Sequence, residues 1–209
     1  MAKHREKPPY HHGDLRAALL AAAAELLDEG GPEAVSLREC ARRAGVSHAA
    51  PYRHFETKEA LLFALAEEGF GWLADAGDAA MQKLPESDAR ARLDAYGVAY
   101  VLFAMEQPSR FRLMFGTSLG IPFAKDGAPK GDRAYVRLRE CVHAVVGDVD
   151  DLDAAAAAFW ALPHGIAMLI LDERIPPERV PNARAAEELA RSSFAYWRHS
   201  AQSSRKKRP

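Results

Sequence analysis

Residues 116–120 of this 209-residue chain read Gly-Thr-Ser-Leu-Gly and match the Gly-x-Ser-x-Gly pattern of hydrolases with a nucleophilic serine. That chemistry needs a strand before the serine and a helix after it, because the sharp turn between them exposes the hydroxyl. Here Ile121 and Pro122 follow, with more Gly and Pro behind them. Ester hydrolysis by Ser118 is therefore the weaker alternative, and we expect no catalytic residues and no enzymatic activity.

Histidines and cysteines are the second set of residues that could do chemistry. Five of the eight histidines lie within the first 54 residues, but none pairs with another at four-residue spacing around an acid, as in a helical zinc site. Cys40 and Cys141 are the only cysteines, and neither belongs to a CxxC motif. We therefore expect no metal and no cofactor, and the cysteine content favours a reducing cytosol.

The most informative pattern lies between Ser36 and Lys58 and is that of two short helices joined by a tight turn. Ser36 can cap the first helix, which we expect to end at Gly45, because glycine suits the left-handed backbone of such a turn. Ser47 can cap a second helix over residues 48–55. Two capped helices at this separation predict a helix-turn-helix.

The same segment is rich in positive charge. It holds five cations against two acids, Glu39 and Glu56, which gives a formal charge of +3 in a chain whose net charge is −1. The cations are Arg38, Arg42, Arg43, Arg53 and Lys58. A local excess of cations is expected where a protein contacts phosphates, so we predict binding to double-stranded DNA.

At these residues the chain resembles the TetR family of bacterial transcriptional regulators. The resemblance covers residues 11 to about 70 and rests on YHHGDLRAALL and on the run GVSHAAPYRHFETKEALL. It implies a DNA-binding head and a helical body that dimerises and binds a small molecule, most often in a repressor with a palindromic operator. An architectural DNA-binding protein without an effector is the alternative. The run FWALPHG at 159–165 also resembles the Trp-His-Gly pattern of one TetR subgroup.

Carried over position by position, the resemblance assigns much of this head to DNA. Residues 48–50 fall at the front of the recognition helix, where small side chains allow close approach and His48 can read a base or a phosphate. Pro51 departs from the family pattern, and we place it in the first turn of that helix, where a missing N–H is tolerated. The complete predicted DNA-binding set is Ser36, Arg38, Ser47, His48, Ala49, Ala50, Tyr52, Arg53, His54, Thr57 and Lys58.

The elements that must position these residues are helices. Ala occurs 41 times, whereas Val, Ile and Thr together occur 16 times, so an all-α fold is predicted. We expect a flexible arm at 1–13, a DNA-binding domain at 14–60, an effector-binding and dimerising domain at 61–202 and a disordered basic tail at 203–209. Helices are expected at 14–29, 36–45, 48–55, 57 to about 70, 89–105, 109–115, 132–146, 152–171 and 183–200.

Two clusters in the body have two interpretations each. Aromatic and Met residues can wall an effector pocket or fill an ordinary core, and His164 can bind an effector or satisfy a carbonyl freed by Pro163. The pocket set is Phe103, Phe111, Met114, Phe115, Trp160, His164 and Met168. A stripe on the last helix can pack against a partner or within the chain, and the resemblance favours a homodimer. The stripe is Ala186, Leu189, Ala190, Ser193, Phe194 and Trp197.

Two apolar stretches could be mistaken for targeting segments. Residues 17–24 follow basic residues as a signal peptide would, but nearby acids and helical spacing favour an amphipathic helix. Residues 154–171 are long enough to span a membrane, but Pro163 interrupts them and acids flank both ends, so we expect a fully buried helix of a soluble bundle. We therefore expect a protein of the bacterial cytoplasm with no membrane partner.

Overall fold

The computed structural model describes residues 15–116 and 133–205, with side chains described up to residue 199. Within these ranges the chain forms eight α-helices, two short 3-10 helices and no strand, which confirms the all-α class. The expected arm at 1–13, residues 117–132 with Ser118, and the last four residues of the expected tail lie outside the described residues.

The helices follow the predicted order closely, except around residues 48–55 and 70. They are α1 (Leu15–Ala34), α2 (Leu37–Ala44), α3 (Lys58–Met81), α4 (Ala89–Glu106), α5 (Pro108–Phe115), α6 (Arg133–Val146), α7 (Leu152–Leu171) and α8 (Ala183–Arg205). Helix α1 is broken by non-helical dihedrals at Gly30 and Gly31, where the sequence predicts a stop. Helix α8 runs to Arg205, past the expected end at residue 200 and into the expected tail.

Helix α3 is longer than the sequence predicts, and the prediction that it ends near Gly69 and Gly71 is wrong. The reason is packing. A Cβ on Gly69 would lie 2.6 Å from the sulfur of Met114, and a Cβ on Gly77 would lie 2.2 Å from the ring of Tyr96. These two glycines therefore let neighbouring helices approach α3 closely instead of ending it. The helix continues through the expected domain boundary at residue 60 as one unbroken element.

Helix α4 is the centre of the body and packs against α3, α5, α6, α7 and α8. Ten of its 18 residues are buried, because it has neighbours on most sides. The main hydrophobic core is continuous from the head, where it includes Leu19 and Cys40, into the body, where it includes Phe103 and Phe111. The head is therefore attached to the body by shared apolar packing as well as by the helix α3.

Helix α7 is not fully buried, so that prediction is wrong. By length and composition alone it could cross a membrane, but only 22% of its apolar window is buried inside the chain. Ala156, Pro163, Ile166 and Ala167 face the bundle, while Leu169 is 46% exposed. Four of the six exposed residues of α7 are alanines, at positions 154, 157, 158 and 161.

Helix α8 corrects half of the predicted dimer stripe. Ala186 and Ala190 are fully buried and Phe194 is 6% exposed, because they pack against Val98, Val101 and Ile166 of the same chain. The four-residue spacing of these side chains therefore reflects packing within the chain, which is the alternative to packing against a partner. Leu189 and Ser193 are half-buried, and Trp197 is exposed at the other edge of the helix.

The glycines of α3 allow a matched test of this packing. We expect Gly77→Ala to lower the free energy of unfolding by about 1–3 kcal/mol, because the ring of Tyr96 is buried and cannot move aside freely. Gly71→Ala, with nothing within 4 Å of its Cβ, should instead raise it by about 0.5–1 kcal/mol through helix propensity. Urea denaturation of both variants checks the pair, and equal effects would contradict the packing role of Gly77.

Candidate nucleic-acid interface and ligand cavity

Two capped helices meet at the predicted nucleic-acid surface. The Ser36 hydroxyl accepts a hydrogen bond from the Glu39 amide at 3.2 Å at the start of α2, and the Thr57 hydroxyl accepts one from the Ala60 amide at 3.1 Å at the start of α3. Gly45 ends α2 with φ of 71°, in the left-handed conformation that the sequence predicts. The start of α2, the turn and the start of α3 are thus fixed by local interactions.

The predicted recognition helix over residues 48–55 is wrong in its type. This segment consists of tight turns and a three-residue 3-10 helix, Pro51–Arg53. Pro51 has no N–H to donate to the Ser47 carbonyl, as an α-helix would require, and that carbonyl accepts from the Ala50 amide at 3.0 Å instead. No capping bond from the Ser47 side chain marks the start of this 3-10 helix, which begins after Ala50.

The turns nevertheless leave most predicted DNA-binding residues accessible. Pro51 is buried and Phe55 is 4% exposed, so both hold the segment on the head, and the Arg16 guanidinium lies 5.4 Å from the centre of the Phe55 ring. Ala50 and Lys58 are half-buried. The exposed members are Ser36, Arg38, Ser47, His48, Ala49, Tyr52, Arg53, His54 and Thr57.

The charge of this surface is smaller than the sequence count suggests. Arg43 forms ion pairs with Glu25 and Glu29 of α1 and with Glu39, and its pKa is raised mainly by the hydrogen bond to Glu29. Arg42 pairs with Glu39 at 2.6 Å, and this hydrogen bond is the largest cause of the fall in the pKa of Glu39 to about 2. Arg43 therefore fastens α2 to α1, whereas Arg42 pairs within α2, and both are poor candidates for phosphate contact.

Three of the five cations between residues 36 and 58 remain available to contact a phosphate backbone. Among the residues that the structure describes, Arg38 and Arg53 form no ion pair. Lys58 lies 3.8 Å from Glu33, whose side chain is almost fully exposed, so this pair is weak and easily exchanged. Arg38 precedes the exposed segment at residues 48–55, Arg53 lies within it and Lys58 follows it.

A cavity lies in the body, beside α3 and α4. The cavity has a volume of about 60 Å³. This is room for a few water molecules and less than a drug-sized ligand needs. The wall is mostly apolar and draws on six helices. Its aromatic members are Phe70, Tyr96, Tyr100, Phe115, Tyr135, Phe159, Trp160, Phe194 and Trp197.

The structure divides the predicted pocket set. Phe115 and Trp160 line the cavity. Phe103, Phe111 and Met114 are buried in the main core, and Met168 packs against it, which was the other interpretation of these residues. His164 lies directly behind the cavity wall, in contact with Tyr100, Phe111, Phe115 and Trp160.

A hydrogen-bond chain joins His164 to the wall. The Trp160 indole N–H donates to the Tyr100 hydroxyl at 3.0 Å, and that hydroxyl lies 2.7 Å from Nδ1 of His164. The arrangement suits a neutral imidazole that accepts from the hydroxyl. Burial among apolar rings lowers the pKa of His164, because the charged form would lose hydration.

Sequence reasoning missed the charged part of the cavity. Arg90 and Asp94 of α4 and Arg198 of α8 line one end of it. Arg90 and Asp94, with Gly97, recur at helical spacing on a helix that is otherwise deeply buried. A search of the sequence for charged residues on a core helix would have found them. Arg198 carries no such signal, because its partner Asp94 lies 104 positions away.

Comparisons with known proteins give two family matches, one in the N-terminal and one in the C-terminal part of the chain. A family model described as "Bacterial regulatory proteins, tetR family" matches residues 19–65, and one described as "Tetracyclin repressor-like, C-terminal domain" matches residues 93–192. The structure is similar to a protein of unknown function from Rhodococcus sp. RHA1, with a TM-score of 0.70 and 37% identity, over 92% of this chain and 98% of that one.

Two curated relatives match shorter stretches. An HTH-type transcriptional repressor of Mycobacterium tuberculosis is 36% identical over 106 residues, which are 46% of this chain and 56% of the relative. The tetracycline repressor protein class C of Escherichia coli is 48% identical over 52 residues, 25% of this chain and 24% of that protein. The chain thus spans about half the length of the first relative and about a quarter of the second. The subgroup suggested by residues 159–165 stays a prediction.

The buried histidine gives a pH dependence whose sign can be tested. Because the pKa of His164 is lower in the folded chain than its ordinary value of 6.5, the unfolded chain binds more protons as the pH falls below that value. We expect the free energy of unfolding to be highest above pH 6.5 and to fall from there towards the lower folded pKa. His164→Gln should flatten this acid limb, measured by urea denaturation across pH, whereas His143→Gln on the surface should leave it unchanged. An identical limb in both variants would contradict the assignment.

Proposed function

The chain belongs to the TetR family of bacterial regulatory proteins, and from this premise we propose that it is a transcriptional repressor that binds operator DNA as a homodimer and is released by a small molecule. The family consists of DNA-binding regulators, so no chemistry on a substrate is required. The proposed site of action is the bacterial cytoplasm. The name of the Mycobacterium tuberculosis relative, a transcriptional repressor, supports repression over activation.

DNA binding is supported by the accessible turn between two capped helices. Ala49 is exposed and small, which permits close approach to base edges, and His48 beside it can donate a hydrogen bond. Tyr52, 52% exposed, can reach a phosphate through its hydroxyl. The start of α3 presents backbone N–H groups that favour an anion, beside the charge of Lys58. This surface is the observation that carries the proposal.

Dimerisation is supported by the apolar surface that α7 and α8 leave open. Ala154, Ala157 and Ala161 of α7 are exposed at three- and four-residue spacing, and a Cβ on Gly165 would meet nothing within 4 Å. Small side chains let a second helix approach closely. A dimer through these helices would carry two heads, which must lie about 34–36 Å apart, or a multiple of that, to reach successive major grooves.

Release by a ligand is supported by the position of the cavity. Phe70 and Leu73 of α3 line it, and the same helix begins at the proposed DNA surface. A ligand that fits better in a state with a wider cavity favours that state by its difference in affinity, typically about 1–3 kcal/mol. DNA must then weaken ligand binding by the same factor.

The DNA surface predicts two classes of mutational effect. Lys58→Ala and Tyr52→Phe should weaken binding about equally for all sequences, because they remove phosphate contacts, and Lys58→Ala should reduce the salt slope by about 1. His48→Ala should instead alter sequence preference, with a loss of about 1–3 kcal/mol at the best site. Selection from a random duplex library, followed by titration at several salt concentrations, measures both.

Lys83→Ala is the matched control, because Lys83 is exposed just beyond the other end of α3. It should leave affinity, preference and salt slope unchanged. An enriched inverted repeat supports the proposed dimeric repressor. Wild-type affinity in all three head variants would exclude this surface as the DNA site.

The open face of α7 predicts a second effect. Ala161→Arg should lower the fraction of dimer at micromolar concentration, because it puts a charge into an apolar contact without disturbing the chain's own core, which Ala161 does not enter. Sedimentation velocity measures the change. Ala79→Arg, at an exposed position of α3, is the control. An unchanged dimer in Ala161→Arg would place the interface elsewhere.

A further inference from the structure

The cavity is polar at one end and apolar at the other, and α4 sets its axis. Arg90, Asp94, Gly97 and Tyr100 of this helix all line it, at spacings that keep them near one face. Ten residues separate Arg90 from Tyr100, which corresponds to about 15 Å along the helix. A ligand in this space therefore meets charged groups at one end and rings at the other.

The charged end has more cations than anions. Arg198 forms an ion pair with Asp94, and the Arg90 guanidinium lies 5.4 Å from the centre of the Phe159 ring. All three charged residues line the cavity, so two guanidinium groups face one carboxylate. Asp94 is half-buried, and its pKa is raised by burial against the opposing attraction of Arg198. The excess positive charge favours a ligand with a negative group.

The other end offers little that a polar ligand group could use. The Tyr100 hydroxyl is held by Trp160 on one side and His164 on the other. Phe70, Phe115 and Leu73 complete this part of the wall with apolar surface. A ligand group that reaches this end must therefore be apolar, and edge-to-face contact with these rings favours a flat ring.

We propose that the ligand of this cavity is a small amphipathic monoanion, with a ring or short chain among the aromatic side chains and a carboxylate on Arg90 and Arg198. This inference rests on the proposed function and names the chemical class of the ligand. The two guanidinium groups come from α4 and α8, so one carboxylate bridges two helices. Planar guanidinium groups suit a carboxylate because they offer paired N–H donors.

The proposal gives Asp94 a specific role, that of a competitor. In the structure described here its carboxylate occupies Arg198, and the carboxylate of a ligand must take its place. Replacement of Asp94 with a neutral residue should therefore strengthen binding of an anionic ligand. This sign separates the proposal from a general loss of packing, which would weaken binding in every variant of the cavity.

The test uses three probes of similar size, 3-phenylpropionate, its neutral amide and 3-phenylpropylammonium, titrated against the full chain by calorimetry. We expect the carboxylate to bind at least about tenfold more tightly than the amide, and the ammonium to bind most weakly. Arg90→Gln should remove most of this preference, and Asp94→Asn should increase affinity for the carboxylate severalfold while leaving the amide unchanged. Lys83→Gln, away from the cavity, should change nothing.

Arg90→Gln is the safer of the two arginine variants, because Arg90 is exposed and forms no ion pair with described residues, whereas loss of Arg198 leaves Asp94 unpaired. The Asp94→Asn/Arg198→Gln double variant removes both charges of the ion pair together but keeps Arg90, so it should retain a preference for the acid over the amide. Equal binding of acid and amide by the wild-type chain overturns the proposal. So does the absence of millimolar binding across phenylalkanoates from phenylacetate to 6-phenylhexanoate.

The regulatory proposal is tested separately, by DNA affinity with and without the bound carboxylate. A carboxylate that binds through Arg90 but does not weaken DNA binding confirms the ligand class and overturns release as the function of the cavity. Failure of DNA binding in the absence of any ligand overturns the repressor and leaves the ligand class to the calorimetry.

Discussion

The unbroken course of α3 is the constraint on which the other features depend. Its 24 residues span about 36 Å, with Thr57 capping the end at the proposed DNA surface and Leu73 at the cavity. A helix of this length does not bend freely without a proline or an inserted side chain to interrupt its hydrogen bonds. Its glycines are where it bends most easily, but the close contacts of Gly69 with α5 and of Gly77 with α4 restrict two of them, so displacement of one end must be met by repacking of its neighbours. The two proposed sites are in this sense mechanically linked.

Helix α5 shows how tightly the neighbours hold α3. Arg110 is 5% exposed, donates to the Leu65 carbonyl at 2.8 Å and to Glu68 at 3.0 Å, and lies 4.0 Å from the centre of the Trp72 ring. Burial lowers its pKa, an effect opposed by Glu68, and an arginine remains charged through such a shift. The guanidinium thus fixes the position of α5 along α3, and Gly69 gives its stem the space to pass. Phe115, at the end of the same short helix, lines the cavity. The position of α5 along α3 therefore also fixes this part of the cavity wall.

The parts of the fold that the sequence predicts are those with local causes. Ser36, Gly45 and Thr57 act within four residues along the chain, and their roles follow from side-chain type alone. The errors arise where the local structure depends on residues far away in the sequence. Gly69 stays helical because α5 packs against it, and Phe194 is covered by α4 of its own chain rather than by a partner. Pro51 is a local error, since its missing N–H affects a segment too short to absorb the loss. The ends of the cavity could not be predicted, because Asp94 and Arg198 meet only after two helices have packed.

The size of the cavity determines the direction in which a ligand can act. A carboxylic acid with a phenyl ring needs more than the few waters' worth of space present here, so it binds best to a state whose walls lie further apart. Those walls include α3, α4 and α8, and their charged end holds the ion pair between Asp94 and Arg198. Exchange of Asp94 for a ligand carboxylate opens this contact while it keeps Arg198 neutralised, which limits the electrostatic cost of widening. If α3 moves as one unbroken helix, the wider state also shifts its start relative to α1 and α2. The same ion pair would then control ligand entry and the state in which the head is held.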